Sequence, residues 1–170
     1  SVDALMLLPL GTSAVTVGLG MLLAFGRPPL DLRNTGLLIV LAQALVAIPF
    51  VVRVLAPALS GFDRRYLDAA AVLGRSPVRA LAGVAVPLLL PAVAVAAGFA
   101  FAVTIGEFGA TVFLASPADP TLPVAISRLL ARPGEVTVAA AYAASAVLML
   151  ITAAVVVGMD RVRLSRAVAF

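Results

Sequence analysis

Four apolar stretches, each long enough to cross a lipid bilayer, are the strongest constraint on the fold of this chain. They cover residues 4–25, 36–59, 86–115 and 136–158. A membrane-spanning helix needs about 20 predominantly apolar residues. Of the 170 residues, 63% are apolar and 12% are charged, and a chain this short cannot bury so much apolar surface in a water-soluble core. The sequence therefore predicts an all-α integral membrane protein, a polytopic helical bundle forming a single transmembrane domain over residues 1–170.

Several chemistries lack the residue types that they require. The sequence contains no Cys and no His, which removes disulfides, thiol nucleophiles, the usual zinc ligands and histidine acid–base catalysis. It also contains no Lys, and therefore no glycine-rich phosphate loop with its lysine. The net charge is +4, but the basic residues form no patch interleaved with aromatic residues, so no nucleic-acid partner is expected. We expect no enzyme activity, no catalytic residues, no metal site and no cofactor.

The placement of arginines predicts the orientation in the membrane. Four spans place the loop at 60–83 on the same side as the C-terminal tail. These two segments hold seven arginines: Arg64, Arg65, Arg75, Arg79, Arg161, Arg163 and Arg166. The opposite side holds four: Arg27, Arg33, Arg128 and Arg132. Because arginines accumulate in cytoplasmic loops, we expect a multi-pass protein of the cell membrane with a cytoplasmic loop at 60–85 and a cytoplasmic C-terminus.

The third apolar stretch is too long for a simple crossing. Thirty helical residues would extend about 45 Å, against a hydrocarbon core of about 30 Å. Pro87 at its start and Gly106 near its end predict bends or an early exit from the helix. Small residues recur there every four positions, at Gly98, Ala102, Gly106 and Ala110. Such a stripe predicts close packing against another helix.

The loop at 60–85 has the signals of two short helices joined by a turn. Asp63 is a plausible N-cap for a first helix, and Gly74 is a plausible residue to end it. Ser76 is placed to cap a second helix, and Pro77 stands at its first position, where proline is favoured. This second helix is expected to run into the third apolar stretch. The small residues Ala69, Ala70 and Ala71 suit either docking in a protein groove or an ordinary amphipathic interfacial helix.

The same loop resembles the Glu-Ala-Ala loop of binding-protein-dependent ABC importer permeases. The residues that match its spacing are Asp68, Ala69, Ala70, Gly74, Val84, Val86 and Pro87. The sequence departs from the usual pattern with Asp in place of Glu at 68 and Val in place of Ile and Leu at 84 and 86. Stretches such as LAQALVAIPFVVRVLAPAL and GFAFAVTIGEFGATVFL resemble the iron(III)/thiamine branch of this family, in its C-terminal half. Permeases of this type have more spans per half than the four counted here, so we expect a truncated type I permease half.

The resemblance implies a role and a set of partners. The loop, including Ser76 and Pro77, would form a coupling helix that docks on cytoplasmic ATPase subunits, which hydrolyse ATP on a separate chain. An extracytoplasmic substrate-binding protein, the lipid bilayer and a second permease half, in the same or another chain, complete the set. The branch implies iron(III) or thiamine as substrate, with molybdate or sulfate as the alternative. A secondary transporter is the competing class, and it would need charged relay residues at the membrane midplane and no docking loop.

Two polar residues inside the apolar stretches are candidates for the translocation pathway. Glu107 is the acidic residue of the third stretch, and an ionisable group at membrane depth is by default a functional hypothesis. Its position near the outer edge of the hydrocarbon leaves two interpretations open, a hydrated polar anchor or a pathway or gate residue. Gln43 in the second stretch could also line a route. On the outer side, Arg128 is expected either in a solvated loop or in contact with a binding protein.

Overall fold

The computed structural model of the chain describes residues 11–28, 31–32 and 35–167, with side chains as far as Arg161. Helices and the turns between them make up this part of the chain. In order they are α1 (Ala14–Phe25), α2 (Leu37–Ser60), α3 (Arg65–Val72), α4 (Pro77–Ile105), α5 (Thr111–Leu114), α6 (Leu122–Leu130) and α7 (Glu135–Ala167). The described residues contain no β-strand, so the predicted all-α class is confirmed.

Three of these helices are long and apolar enough to cross a membrane: α2, α4 and the part of α7 from Glu135 to Arg161. Only 22%, 11% and 6% of their most apolar windows are buried within the chain. In water such exposed apolar surface would drive aggregation, so these faces must contact lipid or partner helices. Helix α2 begins and ends within one residue of the predicted stretch at 36–59, whereas α7 continues beyond the predicted end at 158.

The first predicted span, at 4–25, stays a prediction. Its described part is helix α1, whose 12 residues extend about 18 Å and fall short of the hydrocarbon thickness of about 30 Å. Residues 4–10 lie outside the described residues.

The third predicted span is shifted at both ends. Helix α4 runs from Pro77 to Ile105, so it starts nine residues before the predicted 86 and stops ten residues before the predicted 115. It ends at Gly106, where a turn leads into the separate short helix α5. The expectation that the second loop helix runs into the third stretch is confirmed.

Helix α4 contains one widened turn near its start. Residues Leu81–Ala85 form a π-helical turn, in which the Val86 N–H donates to the Leu81 carbonyl five residues earlier. Pro87 follows directly, and a proline has no N–H and presses on the carbonyl four residues before it, here that of Gly83. A widened turn is a known way for a helix to accommodate such a disruption.

The buried core lies where α1, α2 and α5 meet. It is formed by Leu38, Ala42, Ala110 and Leu114. Helix α1 approaches the backbone of the chain at Ala110 so closely that a Cβ on Gly18 would lie 2.5 Å from the Ala110 Cα. Glycine at position 18 therefore sets the distance between helix α1 and the backbone at Ala110.

The small-residue stripe does not form one continuous seam. Gly98 on α4 lies against Met159 on α7, with no room for a Cβ, whereas Ala110 lies against Gly18 on α1. The helix that would have carried the whole stripe ends at Ile105, so its two ends face different neighbours. The predicted role in close helix packing holds at each end separately.

Candidate functional site: the elbow and the outer break

The two candidate sites lie at opposite ends of helix α4. We call residues 61–85 the elbow. Residues 106–110, at the end of α4 that the arginine placement predicts to face outward, are called the outer break. The elbow contains most of the predicted coupling residues, and the outer break contains Glu107 and approaches Gln43.

The elbow begins with an acidic cap on helix α3. An Asp63 Oδ1 accepts a hydrogen bond from the Arg65 N–H at 2.9 Å. A carboxylate at this position satisfies a backbone donor that the helix cannot pair internally, and its charge is favourable at the N-terminal end of the helix dipole. The prediction of Asp63 as the N-cap residue is wrong by one position, since Arg64 is the N-cap of α3. The Asp63 carboxylate nevertheless accepts the N–H of the first helical residue, Arg65.

The turn of the elbow depends on Gly74. Its φ is +78°, in the left-handed region that favours glycine. The Gly74 N–H donates to the Ala71 carbonyl at 2.9 Å, and the Arg75 N–H donates to the Ala70 carbonyl at 3.0 Å. These two bonds are the pair that closes a Schellman motif at a helix C-terminus. The structure thus confirms that Gly74 ends the first elbow helix.

The second elbow helix starts through its backbone alone. Ser76 has the extended conformation of an N-cap residue and Pro77 follows at the first helical position, as predicted. The Ser76 carbonyl accepts the Ala80 N–H at 2.9 Å. However, the Ser76 hydroxyl makes no capping hydrogen bond, so the predicted side-chain cap is wrong. Pro77 supplies a preset φ and no N–H that needs a partner, which favours this helix start without the hydroxyl.

The elbow buries alanines and exposes larger apolar side chains. Ala70, Ala80 and Ala85 are 5%, 3% and 3% exposed. Helix α3 packs against the start of α4, and Ala70 is the buried residue of α3, so its small size serves packing inside the elbow. In contrast, Val72 and Leu73 are 89% and 82% exposed.

The other motif residues divide between two surfaces. Asp68 and Ala69 are exposed on α3, beside the apolar residues at the turn. Val84 is half-buried in the π-helical turn, while Val86 and Pro87 are exposed farther along α4. The spacing that identified the motif therefore combines residues of the elbow surface with residues that shape the start of the long helix.

The outer break is organised by Glu107. This side chain is 8% exposed, and its Oε1 accepts the Ala110 N–H at 2.7 Å while its Oε2 accepts the Thr111 N–H at 3.1 Å. The Thr111 hydroxyl donates in return to the Glu107 carbonyl at 2.8 Å. The interpretation of Glu107 as a hydrated anchor is therefore wrong: backbone donors replace water around its carboxylate. Sequence reasoning did not identify Thr111 as its partner.

Gln43 reaches the same region from helix α2. Its Nε2 donates to the Thr104 carbonyl at 3.2 Å, in the last turn of α4. The same carbonyl also accepts the Glu107 N–H at 3.2 Å. An apolar cavity of about 430 Å³ lies nearby, and neither Gln43 nor Glu107 is among its lining residues. That cavity is lined by Phe108, Pro123, Ile126, Ser127, Leu130, Ser145 and Leu148. A pathway or gate role for Gln43 and Glu107 stays a prediction.

Arg128 holds the loop that follows the outer break. Its Nη1 donates to the Ser116 carbonyl at 3.2 Å and to the Pro117 carbonyl at 3.3 Å, from helix α6. The guanidinium therefore supports this loop internally, which neither expectation for Arg128 included.

These features together define a class of protein: a multi-pass helical membrane protein with a helix-turn-helix elbow that continues into a membrane-length helix. The chain belongs to the family of binding-protein-dependent transport system inner membrane components, whose sequence profile matches residues 1–165. The resemblance to ABC importer permeases is thereby confirmed.

Relatives within this family are permease proteins of named transport systems. The Salmonella paratyphi A protein PhnV, named as a 2-aminoethylphosphonate transport system permease protein, is 33% identical over 155 residues. These residues are 91% of this chain and 57% of PhnV. PhnU of Salmonella typhi, named for the same transport system, is 33% identical over 118 residues, which are 69% of this chain and 41% of PhnU. The match thus covers little more than half of PhnV and less than half of PhnU, and neither is named for iron(III) or thiamine.

Proposed function

We propose that this chain is half of the transmembrane permease of an ATP-driven importer, and that the elbow couples it to a separate cytoplasmic ATPase. The observation that carries the proposal is the geometry of the elbow: an exposed helix, a left-handed turn at Gly74, and a second helix that continues into α4. The family membership supports the same role.

The exposed surface of the elbow has the chemistry of a docking surface. Val72, Leu73 and Val78 are 89%, 82% and 76% exposed. Burying a side chain of this kind stabilises a complex by about 1.5–3 kcal/mol, so a partner groove gains from covering them. Asp68 with Arg64 or Arg65 adds charged groups at the edge of this surface, which can form charge-assisted hydrogen bonds with the partner.

Helix α4 supplies the mechanical connection from the elbow to the membrane. It is continuous over 29 residues, about 43 Å. When ATP closes two ATPase subunits, the docked elbows are drawn together, and α4 carries this movement to the outer break. Contacts that differ between ATP states then bias the permease between inward- and outward-facing arrangements by rigid-body motion.

The orientation and the other partners belong to the same proposal. The excess of arginines supports a cytoplasmic elbow and a cytoplasmic C-terminus. The low burial of α2, α4 and α7 supports a second permease half that covers part of their surface. An extracytoplasmic binding protein delivers the substrate to the opposite side.

The names of the relatives support 2-aminoethylphosphonate, or a related small phosphonate, as the substrate. Iron(III) and thiamine, which the branch resemblance implied, become competing substrates in the test, together with molybdate and sulfate. A secondary transporter is less well supported because the elbow has no role in such a protein.

The test uses the full-length permease together with its proposed ATPase partner. In proteoliposomes, uptake of labelled 2-aminoethylphosphonate should require ATP and the binding protein, and unlabelled thiamine or iron(III) should not compete. Gly74→Leu forces a side chain into a left-handed conformation, so it should abolish uptake and reduce copurification of the ATPase at least about tenfold. Gly20→Ala is the matched control, because a Cβ there meets nothing within 4 Å.

Unchanged ATP-dependent uptake by stably inserted Gly74→Leu would contradict the coupling role of the elbow. Uptake driven by an ion gradient without ATP would favour the secondary transporter. ATP-dependent uptake of another substrate would keep the coupling mechanism and replace the substrate.

A further inference from the structure

A basic cavity lies on the elbow, and none of the exposed residues Val72, Leu73 and Val78 lines it. The cavity has a volume of about 560 Å³ and is lined by Gly74, Arg75, Arg79, Ala82 and Gly83. We infer that this cavity binds a phosphate group, through the guanidinium groups of Arg75 and Arg79.

The first support is the position of the Arg75 guanidinium. A Cβ on Gly83 would lie 2.5 Å from the Arg75 Nη1, so the glycine leaves the space that this guanidinium occupies against helix α4. Arg79 lies on the first turn of the same helix and lines the same cavity. Gly74, at the left-handed turn, and Arg75, directly after it, therefore line one cavity with Arg79, Ala82 and Gly83 of helix α4.

The second support is the charge balance. The elbow contains four arginines and two aspartates, a net charge of +2. Within the described part of the chain, neither Arg75 nor Arg79 forms an ion pair with an acidic side chain. Guanidinium groups bind phosphate through paired, charge-assisted hydrogen bonds. Two guanidinium groups in one cavity without an acidic partner therefore match an anion of higher charge than a single carboxylate.

The third support is the position of the cavity along the membrane normal. The hydrogen bond from Gln43 to Thr104 aligns α2 with α4. Ser60 lies 17 residues beyond Gln43, while Pro77 lies 27 residues before Thr104. At 1.5 Å per residue, α4 extends about 15 Å past the end of α2, and Gly83 lies about 6 Å past it. The lipid headgroup layer is about 5–7 Å thick on each side. With the end of α2 taken as the edge of the hydrocarbon core, Arg75 against Gly83 would lie within the headgroup layer, where lipid phosphates are found.

The phosphate can come from an anionic lipid or from free phosphate in solution, and the experiment separates them. The full-length permease, without ATPase, is reconstituted into nanodiscs of phosphatidylcholine with or without phosphatidylglycerol. Native mass spectrometry then measures the phosphatidylglycerol retained after extraction. In parallel, inorganic phosphate is titrated into the phosphatidylcholine nanodiscs while the thermal unfolding midpoint is followed.

The variants test whether the cavity is responsible. The double variant Arg75→Gln/Arg79→Gln should lower the affinity for phosphatidylglycerol or inorganic phosphate about tenfold, because it removes both charged donors. Gly83→Ala keeps both charges but takes the space of the Arg75 guanidinium, so it should give a smaller loss of about threefold. Arg64→Gln/Arg65→Gln is the matched control, which removes two charges from the same elbow outside the cavity and should leave binding unchanged.

Retention of phosphatidylglycerol that depends on the arginine pair identifies the lipid as the source. If inorganic phosphate raises the thermal unfolding midpoint only when Arg75 and Arg79 are both present, and no lipid is retained, free phosphate is the source. Equal binding by all variants overturns the inference. A separate copurification experiment with the ATPase completes the test. The inference is also overturned if Arg75→Gln/Arg79→Gln lowers ATPase copurification but changes neither lipid retention nor phosphate binding, because the cavity would then receive an acidic protein surface. The lipid and phosphate assays omit the ATPase, so their failure leaves the proposed coupling role untouched.

Discussion

The two ends of helix α4 are turns of opposite construction. At the elbow, the Schellman bonds from Gly74 and Arg75 are made by the backbone, and the side chains around the turn stay exposed. At the outer break, a side chain closes the turn: the buried carboxylate of Glu107 accepts two backbone N–H groups. A turn closed by the backbone leaves its side chains available to a partner, whereas a turn closed by a buried side chain is committed to the internal structure.

This contrast separates two kinds of mutational effect along one rigid helix. Changes at the outer break should mainly lower the stability of the permease, since its groups are buried and mutually dependent. Changes at the elbow should mainly weaken coupling and leave stability nearly unchanged. Stability here means the thermal unfolding midpoint of the purified full-length permease in detergent, together with the free energy of unfolding derived from it.

The largest loss of stability is expected from Glu107→Leu. The variant leaves the Ala110 and Thr111 N–H groups without their acceptor in a buried site. An unsatisfied buried donor costs about 1–3 kcal/mol, so the free energy of unfolding should fall by about 2–6 kcal/mol. Thermal unfolding of the purified variant measures this change.

Glu107→Gln is the companion variant, because its amide keeps one acceptor oxygen. It should lose less than half as much stability as Glu107→Leu. If Glu107→Leu were as stable as the wild type but inactive in uptake, the carboxylate would serve the pathway and the contrast between the two turns would break down.

A smaller loss is expected from Gly18→Ala. The added Cβ would lie 2.5 Å from both the Cα and the carbonyl oxygen of Ala110, so helix α1 must shift. Overpacking of this kind costs about 1–3 kcal/mol. Gly20→Ala, on the same helix with nothing within 4 Å, should match the wild type or exceed its stability, because alanine is the better helix former. Equal unfolding midpoints for the two variants would contradict the close contact.

The elbow was largely predictable from the sequence, whereas the outer break was not. Asp63, Gly74 and Pro77 act on backbone groups within a few residues of themselves, so their residue types at that spacing determine most of the turn. The exception is the hydroxyl of Ser76, which makes no capping hydrogen bond although the residue stands at the N-cap position.

The outer break depends on contacts between distant parts of the chain. Gln43 and Thr104 are 61 residues apart in sequence, and the contact between Gly18 and Ala110 is longer still. The apolar composition of residues 86–115 alone favours one uninterrupted helix. The early end of α4 at Gly106 was predicted from that glycine and is confirmed. The sequence did not predict that the buried Glu107 carboxylate closes the turn, or that helix α1 packs against Ala110. The close approach of Arg75 to Gly83 was missed for a related reason, since it requires the turn to be folded first.

At the elbow, Gly74→Ala should cause a modest loss of stability with a large loss of coupling. An alanine in the left-handed conformation costs about 1–2 kcal/mol, since φ at this position is +78°. The unfolding midpoint should fall slightly, while ATP-dependent uptake should fall well below that of Gly18→Ala at comparable protein levels. If Gly74→Ala and Gly18→Ala each lost uptake in proportion to their loss of stability, the elbow would have no separate role in coupling.

The smallest effect on stability is expected from Val72→Ser, which sharpens the comparison within the elbow. Val72 is 89% exposed, and substitutions at such positions usually change stability by less than about 0.5 kcal/mol. If the ATPase covers this residue, the variant loses the transfer free energy of a buried valine side chain, so affinity for the ATPase should fall about tenfold. Ala70→Val is the matched variant on the same helix: Ala70 is 5% exposed, so the larger side chain should lower the unfolding midpoint first and ATPase binding only as a consequence. A permease in which Val72→Ser binds the ATPase as tightly as the wild type would place the docking contact elsewhere on the elbow.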